Sequence, residues 1–270
     1  MTTRPSAYPA IQGGVEQGSR PLEPKAPSNG GGEAPDDRPK PFTPTDTVQR
    51  QLRIAARALG RHGLAHAYGH CSVRLDADHF LVCAARPMGL LAPGEQGQVV
   101  PIAGPLPSGV LGEVRLHQQL YRRRPDVQAV ARSMPPALMT LGTARRTPKP
   151  RHGMGSYFGE GAALWDDPQL IRDDALASAA IDAMAHHNAL VMRGNGVVVV
   201  ADSLPKVVCL TWFLEDAAKL ELGVLAAGLE GSSVVLQAAE TERRATSSGG
   251  IFERMWEYLT HGDTELHWQE

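Results

Sequence analysis

Cysteine is scarce in this chain, with Cys71, Cys83 and Cys209 the only three in 270 residues. An odd count without CxxC or paired Cys/His spacing excludes a disulfide framework and fits reduced thiols in a cytoplasm. An excess of charge of one sign is also missing, since 27 Lys+Arg against 29 Asp+Glu give a formal net charge of −2. With no basic stripe or polybasic cluster, neither nucleic acid nor an anionic membrane is expected as a partner. The longest apolar runs, such as that around 197–201, fall far short of the roughly 20 residues a membrane span needs. The opening Met1-Thr2-Thr3-Arg4-Pro5 has no apolar h-region, so no secretory leader is expected.

What is present has the balance of a soluble globular protein, 42% hydrophobic and 21% charged, at a length suited to one domain or two. Residues 1–44 hold nine of the 21 prolines and six of the 28 glycines, and read as a disordered Pro/Gly-rich arm. Asp46 and Gln49 have capping-box spacing, Val48, Leu52, Ala55, Ala56 and Leu59 follow at helical spacing, and Gly60 stands where that helix would end. Short strand-like runs follow at 71–75, 80–83 and 99–102, then a helix over 112–123, a buried strand over 127–131 and a short helix near 135–141. The stretch 145–167 reads as a long irregular loop, a feature often tied to function. A helix at 175–186, strands at 189–192 and 197–200, and a long helix after Asp202 complete a domain over 45–228. A polar linker and a helical tail are expected over 229–270. The pattern alone gives an α/β class.

Five segments in order resemble the class II aldolase/adducin family: Gly63-Leu64-Ala65-His66-Ala67-Tyr68-Gly69-His70-Cys71-Ser72-Val73-Arg74, Gly112-Glu113-Val114-Arg115-Leu116-His117, the Pro125-Asp126-Val127 stretch, Met192-Arg193-Gly194-Asn195-Gly196, and Leu214-Glu215-Asp216-Ala217-Ala218. The resemblance implies an α/β/α sandwich on a mostly antiparallel central sheet and a homotetramer with sites between subunits. It also implies that Glu113 is the acid/base residue. Metal-dependent members of that family hold a divalent ion, such as zinc, with three histidines. The matching positions here are Arg132, Met134 and Asn195. A guanidinium cannot shed its proton to become a ligand, and thioether and amide are poor donors for such an ion. The family's three-histidine site is therefore absent or rebuilt.

Residues that bind a sugar phosphate in the family are replaced as well, by His70 and by Leu111-Gly112 ahead of Glu113. These replacements resemble those of aromatic-acid decarboxylases in the family, including ones of aminocoumarin antibiotic biosynthesis. That resemblance implies oxidative decarboxylation of a prenylated 4-hydroxyphenylpyruvate, through the mandelate, to the prenylated 4-hydroxybenzoate. Such chemistry would consume O2 at a non-haem Fe(II), with ligands drawn from His70, Glu113, His117 and His152. The alternatives are a metal-free, non-oxidative decarboxylase of a hydroxylated aromatic acid and an adducin-like interaction domain without catalysis. In the metal-free form Glu113, Arg132 and Asn195 carry the chemistry. His70, Arg86, Leu111, Met134, Arg151 and Tyr157 are the residues expected to contact substrate.

Overall fold

In the computed structural model, which describes residues 43–266, α1 (Asp46–Arg61) precedes β1 (His70–Arg74), β2 (His79–Val82) and β3 (Gln98–Pro101). A 3-10 turn over Gly112–Val114 leads into α2 (Arg115–Arg123), β4 (Ala129–Ser133) and α3 (Pro136–Thr143). Then come β5 (Ala163–Trp165), α4 (Asp174–Met184), β6 (Ala189–Met192), β7 (Gly196–Ala201) and α5 (Leu204–Ala226). Two further helices, α6 (Ala238–Arg244) and α7 (Ile251–Thr260), close the order. Of the expected arm over 1–44, only 43 and 44 lie within the described residues.

The start of α1 differs by one residue from the capping-box expectation. Thr45 is the N-cap, its hydroxyl accepting from the Val48 amide at 3.4 Å, while Asp46 supplies first-turn negative charge. The Gln49 side chain instead accepts from the Gly97 amide at 2.9 Å, stapling the helix to the segment before β3. Gly60 does not end the helix, which runs on to Arg61. A Cβ on Gly60 would lie 2.4 Å from the Cα of Gly89, so its lack of a side chain serves a close backbone approach.

The seven strands form one sheet in the order β3-β2-β1-β4-β7-β6-β5, antiparallel throughout except for the parallel β5–β6 pair. Strand alternation builds the layers. Val197 and Val199 of β7 enter one core with α1, α3, α5 and α7; Val198 and Val200 enter the other with α2 and α4. A sheet buried on both faces reads as a continuous apolar run, as 197–200 does. The architecture is the expected α/β/α sandwich. Sequence reading missed β5: a three-residue edge strand inside a Gly- and Arg-rich stretch leaves almost no periodic signal.

The segment 229–270, expected as a polar linker and helical tail, carries α6 and α7. Gln237 and Glu240 form a reciprocal capping box at α6, and Phe252 and Leu259 of α7 pack into the core beside α5. Past α7 the chain returns to α1. Asp263 and Glu265, both nearly fully buried, meet Arg53, Arg57 and Arg61, spaced one helical turn apart. Arg57 is bidentate to Asp263 at 2.8 and 2.7 Å, and Arg53 donates to both oxygens of Glu265. Removing one partner strands buried guanidinium charge. Asp263→Ala is expected to lower unfolding stability by about 3 kcal/mol in urea titrations; an unchanged midpoint would show that the cluster is not integral to the fold.

Candidate active site

On β4, Ala129 and Ala131 face the α5 side, which sends Val130 and Arg132 to the α2/α4 side. His70 is the cross-strand partner of Arg132 and Ser72 that of Val130, so His70, Ser72 and Arg132 share that face. Asn195 is delivered by the turn between β6 and β7. Gly196 makes this fit: its φ is +84°, and a Cβ there would lie 2.1 Å from the Ser133 carbonyl oxygen. Glu113 stands in the 3-10 turn that enters α2.

These three elements converge on one guanidinium. Arg132 is 1% exposed. Its Nη2 donates to Asn195 Oδ1 at 2.7 Å and lies 3.3 Å from each oxygen of Glu113. Asn195 Nδ2 in turn donates to Glu113 Oε1 at 3.2 Å. Burial pulls the Arg132 proton affinity below its ordinary value, while the Glu113 charge opposes that. The other two guanidinium nitrogens, Nε and Nη1, are buried and without a hydrogen-bond partner among the described residues. The same holds for Nε2 of His70.

His70 belongs to a buried chain of side chains. Its Nδ1 lies 2.8 Å from His117 Nε2, His117 Nδ1 lies 2.6 Å from Ser72 Oγ, and Ser72 Oγ lies 2.8 Å from the Tyr121 hydroxyl. Burial first, and the Arg132 charge second, push His117 down to about 3. Burial also takes His70 well below the usual imidazole range, assisted by His117 and Arg132, and raises the Tyr121 phenol. The whole chain is neutral at pH 7.

A cavity of about 360 Å³ opens over this face, lined by His70 and Glu113 with Arg86, Leu111 and Arg172 toward its mouth. Leu111 is 43% exposed at the rim, and Arg86 there is paired with Glu95 at 3.0 Å. Met134 sits at the end of β4 against the Gly196 turn and does not line this cavity. Three expected contacts fall on the opposite face of the sheet. Arg151 is spent in a buried ion pair with Glu221 at 2.7 Å, and His152 bonds Asp216 of α5 at 2.9 Å. The Tyr157 hydroxyl donates to the Thr246 carbonyl while its ring stacks on Phe213. The long loop carries these residues to α5, and the sheet separates them from Glu113. Ser72, Tyr121 and Arg172 were not anticipated. Ser72 and Tyr121 could have been found from strand parity and from the i, i+4 spacing of His117 and Tyr121.

The donor set does not fit a divalent ion. Arg132, with Asn195 hydrogen-bonded to it, places fixed positive charge where the resemblance implies histidine ligands, and Met134 is turned elsewhere. The Fe(II) set drawn from His70, Glu113, His117 and His152 does not assemble either. Both ring nitrogens of His117 are engaged, and His152 lies across the sheet. Among the described residues no group of three His, Cys, Asp or Glu side chains is placed to hold a metal.

A histidine buried in the neutral form makes stability pH-dependent in a known direction. Below the unfolded value near 6.5 the unfolded chain takes up a proton that native His117 refuses until about pH 3. The His117 contribution is therefore complete above about pH 6.5 and is lost as pH falls from there toward 3. Urea midpoints between pH 7.5 and 4.5 should fall less steeply in His117→Gln, by about one proton. Equal slopes would mean that His117 titrates alike in both states.

Comparison with known proteins places this geometry in context. The chain is 28% identical over 198 residues to a 3,4-dihydroxyphthalate decarboxylase of Arthrobacter keyseri, covering 67% of this chain and 80% of that protein. It is 22% identical over 249 residues to the decarboxylase tropJ of Talaromyces stipitatus, covering 83% of this chain and 89% of that one. An L-fuculose 1-phosphate aldolase from Glaciozyma antarctica shares the fold with a TM-score of 0.66 at 18% identity, over 80% of this chain and 89% of that one. Residues 50–222 match the model of the class II aldolase and adducin N-terminal domain, and the chain belongs to that family.

Proposed function

We propose that this chain is a decarboxylase of a hydroxylated aromatic acid that works without a metal beside Glu113. The observation that carries the reading is the buried Arg132 guanidinium, pinned through Nη2 by Asn195 and Glu113, with Nε and Nη1 left unpaired. The decarboxylase names of the relatives from Arthrobacter keyseri and Talaromyces stipitatus support it.

Electrostatics decide what the unpaired Arg132 N–H groups should hold. A cation paired with the departing carboxylate would stabilise the reactant most, because that charge vanishes as CO2 leaves. A cation paired with the oxygen that gains charge stabilises the transition state instead. Arg132 is therefore assigned to the ring hydroxyl oxygen conjugated to the reacting carbon. The Glu113 carboxylate takes the hydroxyl proton and delivers it to the ring carbon that bears the carboxylate. The bond to the carboxylate then breaks, CO2 departs, and its electron pair restores the aromatic ring as a phenolate against Arg132. Solvent returns a proton to that oxygen, so the net reaction consumes one proton. Asn195 holds Arg132 and Glu113 in register, and Leu111 gives the cavity mouth an apolar wall for the ring. Arg172 at the mouth favours an anionic substrate.

The oxidative course on a prenylated 4-hydroxyphenylpyruvate, with its place in aminocoumarin biosynthesis, is a narrower reading of the same decarboxylase chemistry. It requires about two histidines and a carboxylate around iron, and the placement of His117 and His152 weighs against it. The test is CO2 release from 3,4-dihydroxyphthalate and hydroxybenzoates. Wild type should turn over one of these, Glu113→Gln should lose about 10²–10⁴-fold in kcat, and Arg132→Met about 10²–10³-fold. Full activity in Glu113→Gln would overturn the assignment, as would stoichiometric oxygen uptake with CO2 release.

A further inference from the structure

The Tyr121–Ser72–His117–His70 chain lies beside the proposed chemistry; its hydrogen bonds can run either way, and each direction leaves one buried donor over, the Tyr121 hydroxyl or His70 Nε2–H. Tyr121 is 2% exposed, and Ser72 Oγ is the one acceptor within reach of its hydroxyl among the described residues. A buried hydroxyl left without an acceptor is costly, and burial keeps the phenol protonated. Of the two possible leftover donors, His70 lines the cavity, where a ligand oxygen can meet it, and Tyr121 does not, so the direction assigned is the one in which Tyr121 donates to Ser72. Ser72 must then spend its own proton on His117 Nδ1, 2.6 Å away. With Nδ1 accepting, neutral His117 carries its hydrogen on Nε2 and donates to His70 Nδ1 at 2.8 Å. His70, also neutral, is left with its hydrogen on Nε2, the buried atom that has no partner.

We propose that His70 Nε2–H is a donor, alongside the Arg132 guanidinium, to the oxygen that becomes anionic in the reaction, and that Tyr121, Ser72 and His117 fix His70 in that donor tautomer. Cross-strand pairing puts His70 and Arg132 on one face, and His70 lines the cavity with Glu113. A neutral imidazole is suited to this task. It polarises an oxygen without surrendering its proton, and its depressed proton affinity keeps it neutral while the neighbouring guanidinium supplies the charge. In the opposite tautomer an Nε2 lone pair would face the same oxygen and repel it. His70 touches the reacting group in this account, whereas Tyr121, Ser72 and His117 are positioning residues. The proposal rests on the decarboxylase reading for the identity of the oxygen alone; the direction of the relay does not.

Two measurements on the full chain separate these parts. Ring ¹⁵N NMR of ¹⁵N-histidine-labelled protein near pH 7.5 reads the tautomer without any substrate. Wild-type His70 should be protonated at Nε2 with Nδ1 bare, and Tyr121→Phe, which frees the Ser72 hydroxyl to turn, should populate both tautomers. Protonation at Nδ1 in wild type, or a tautomer indifferent to Tyr121→Phe, overturns the relay. The donor site is read with 4-nitrophenol, whose phenolate absorbs distinctly. Wild type should bind the phenolate in preference to the phenol. His70→Leu should reduce that preference by about tenfold or more, and His70→Gln, which keeps an N–H donor, should recover part of it. Equal binding of phenol and phenolate by wild type, or an undiminished preference in His70→Leu, overturns the oxyanion role. A retained phenolate preference with no CO2 release from any aromatic acid would instead remove the decarboxylase reading and leave this inference standing.

Discussion

Arg132 stands on β4, near the middle of a seven-stranded sheet, with its charged end almost wholly out of water. Taking a guanidinium out of water costs several kcal/mol unless its donors are met. Glu113 and Asn195 meet one nitrogen from two different parts of the chain. The positions of the turn entering α2 and of the β6–β7 turn are thereby tied to a single cation. The remaining N–H groups on Nε and Nη1 are the uncompensated part of that cost. They are the reason to read the cluster as a receptor for a negatively charged oxygen rather than as a structural ion pair. His70 continues the pattern from the neighbouring strand, with a second element, α2, fixing its ring through His117 and Tyr121.

The contrast with the C-terminal ion cluster sharpens the point. Arg53, Arg57 and Arg61 meet Asp263 and Glu265 with bidentate and bridging bonds, and every guanidinium nitrogen of Arg53 and Arg57 has a partner. That arrangement is closed and holds the chain after α7 against α1. The Arg132 arrangement leaves Nε and Nη1 unpaired, and its partner Glu113 and strand neighbour His70 line a cavity of about 360 Å³. Charge burial serves anchoring in one place and, in the proposed function, chemistry in the other.

Much of the fold was legible because its signals are local. The unbroken valines of 197–200 announce a strand buried on both faces, and the helical spacing of Val48 through Leu59 announces α1. Boundaries depended on side chains whose roles are set by distant partners: Gln49 looks like half of a capping box but is claimed by Gly97, and Gly60 looks like a terminator but lies against Gly89. The same distinction runs through the site. Glu113, Arg132 and Asn195 were singled out by their places relative to the family's motifs, and their side chains meet in the fold. Arg151, His152 and Tyr157 were misplaced because nothing in a Gly- and Arg-rich loop tells which face of the sheet it will cover. Ser72 and Tyr121 went unnoticed because a serine in a strand and a tyrosine in a helix gain meaning only when register sets them on either side of His117.

The central claim is that a fixed guanidinium does here what a divalent ion does in the metal-dependent members of the family. Its most direct test is the rate of CO2 release from hydroxylated aromatic acids by protein stripped with a strong chelator, with metal content measured on the same sample. The account predicts undiminished turnover with metal far below one ion per chain, and no gain on adding Zn²⁺ or Fe²⁺. Turnover that vanishes with the metal and returns with it would contradict the account and send the search for ligands back to His70 and Glu113.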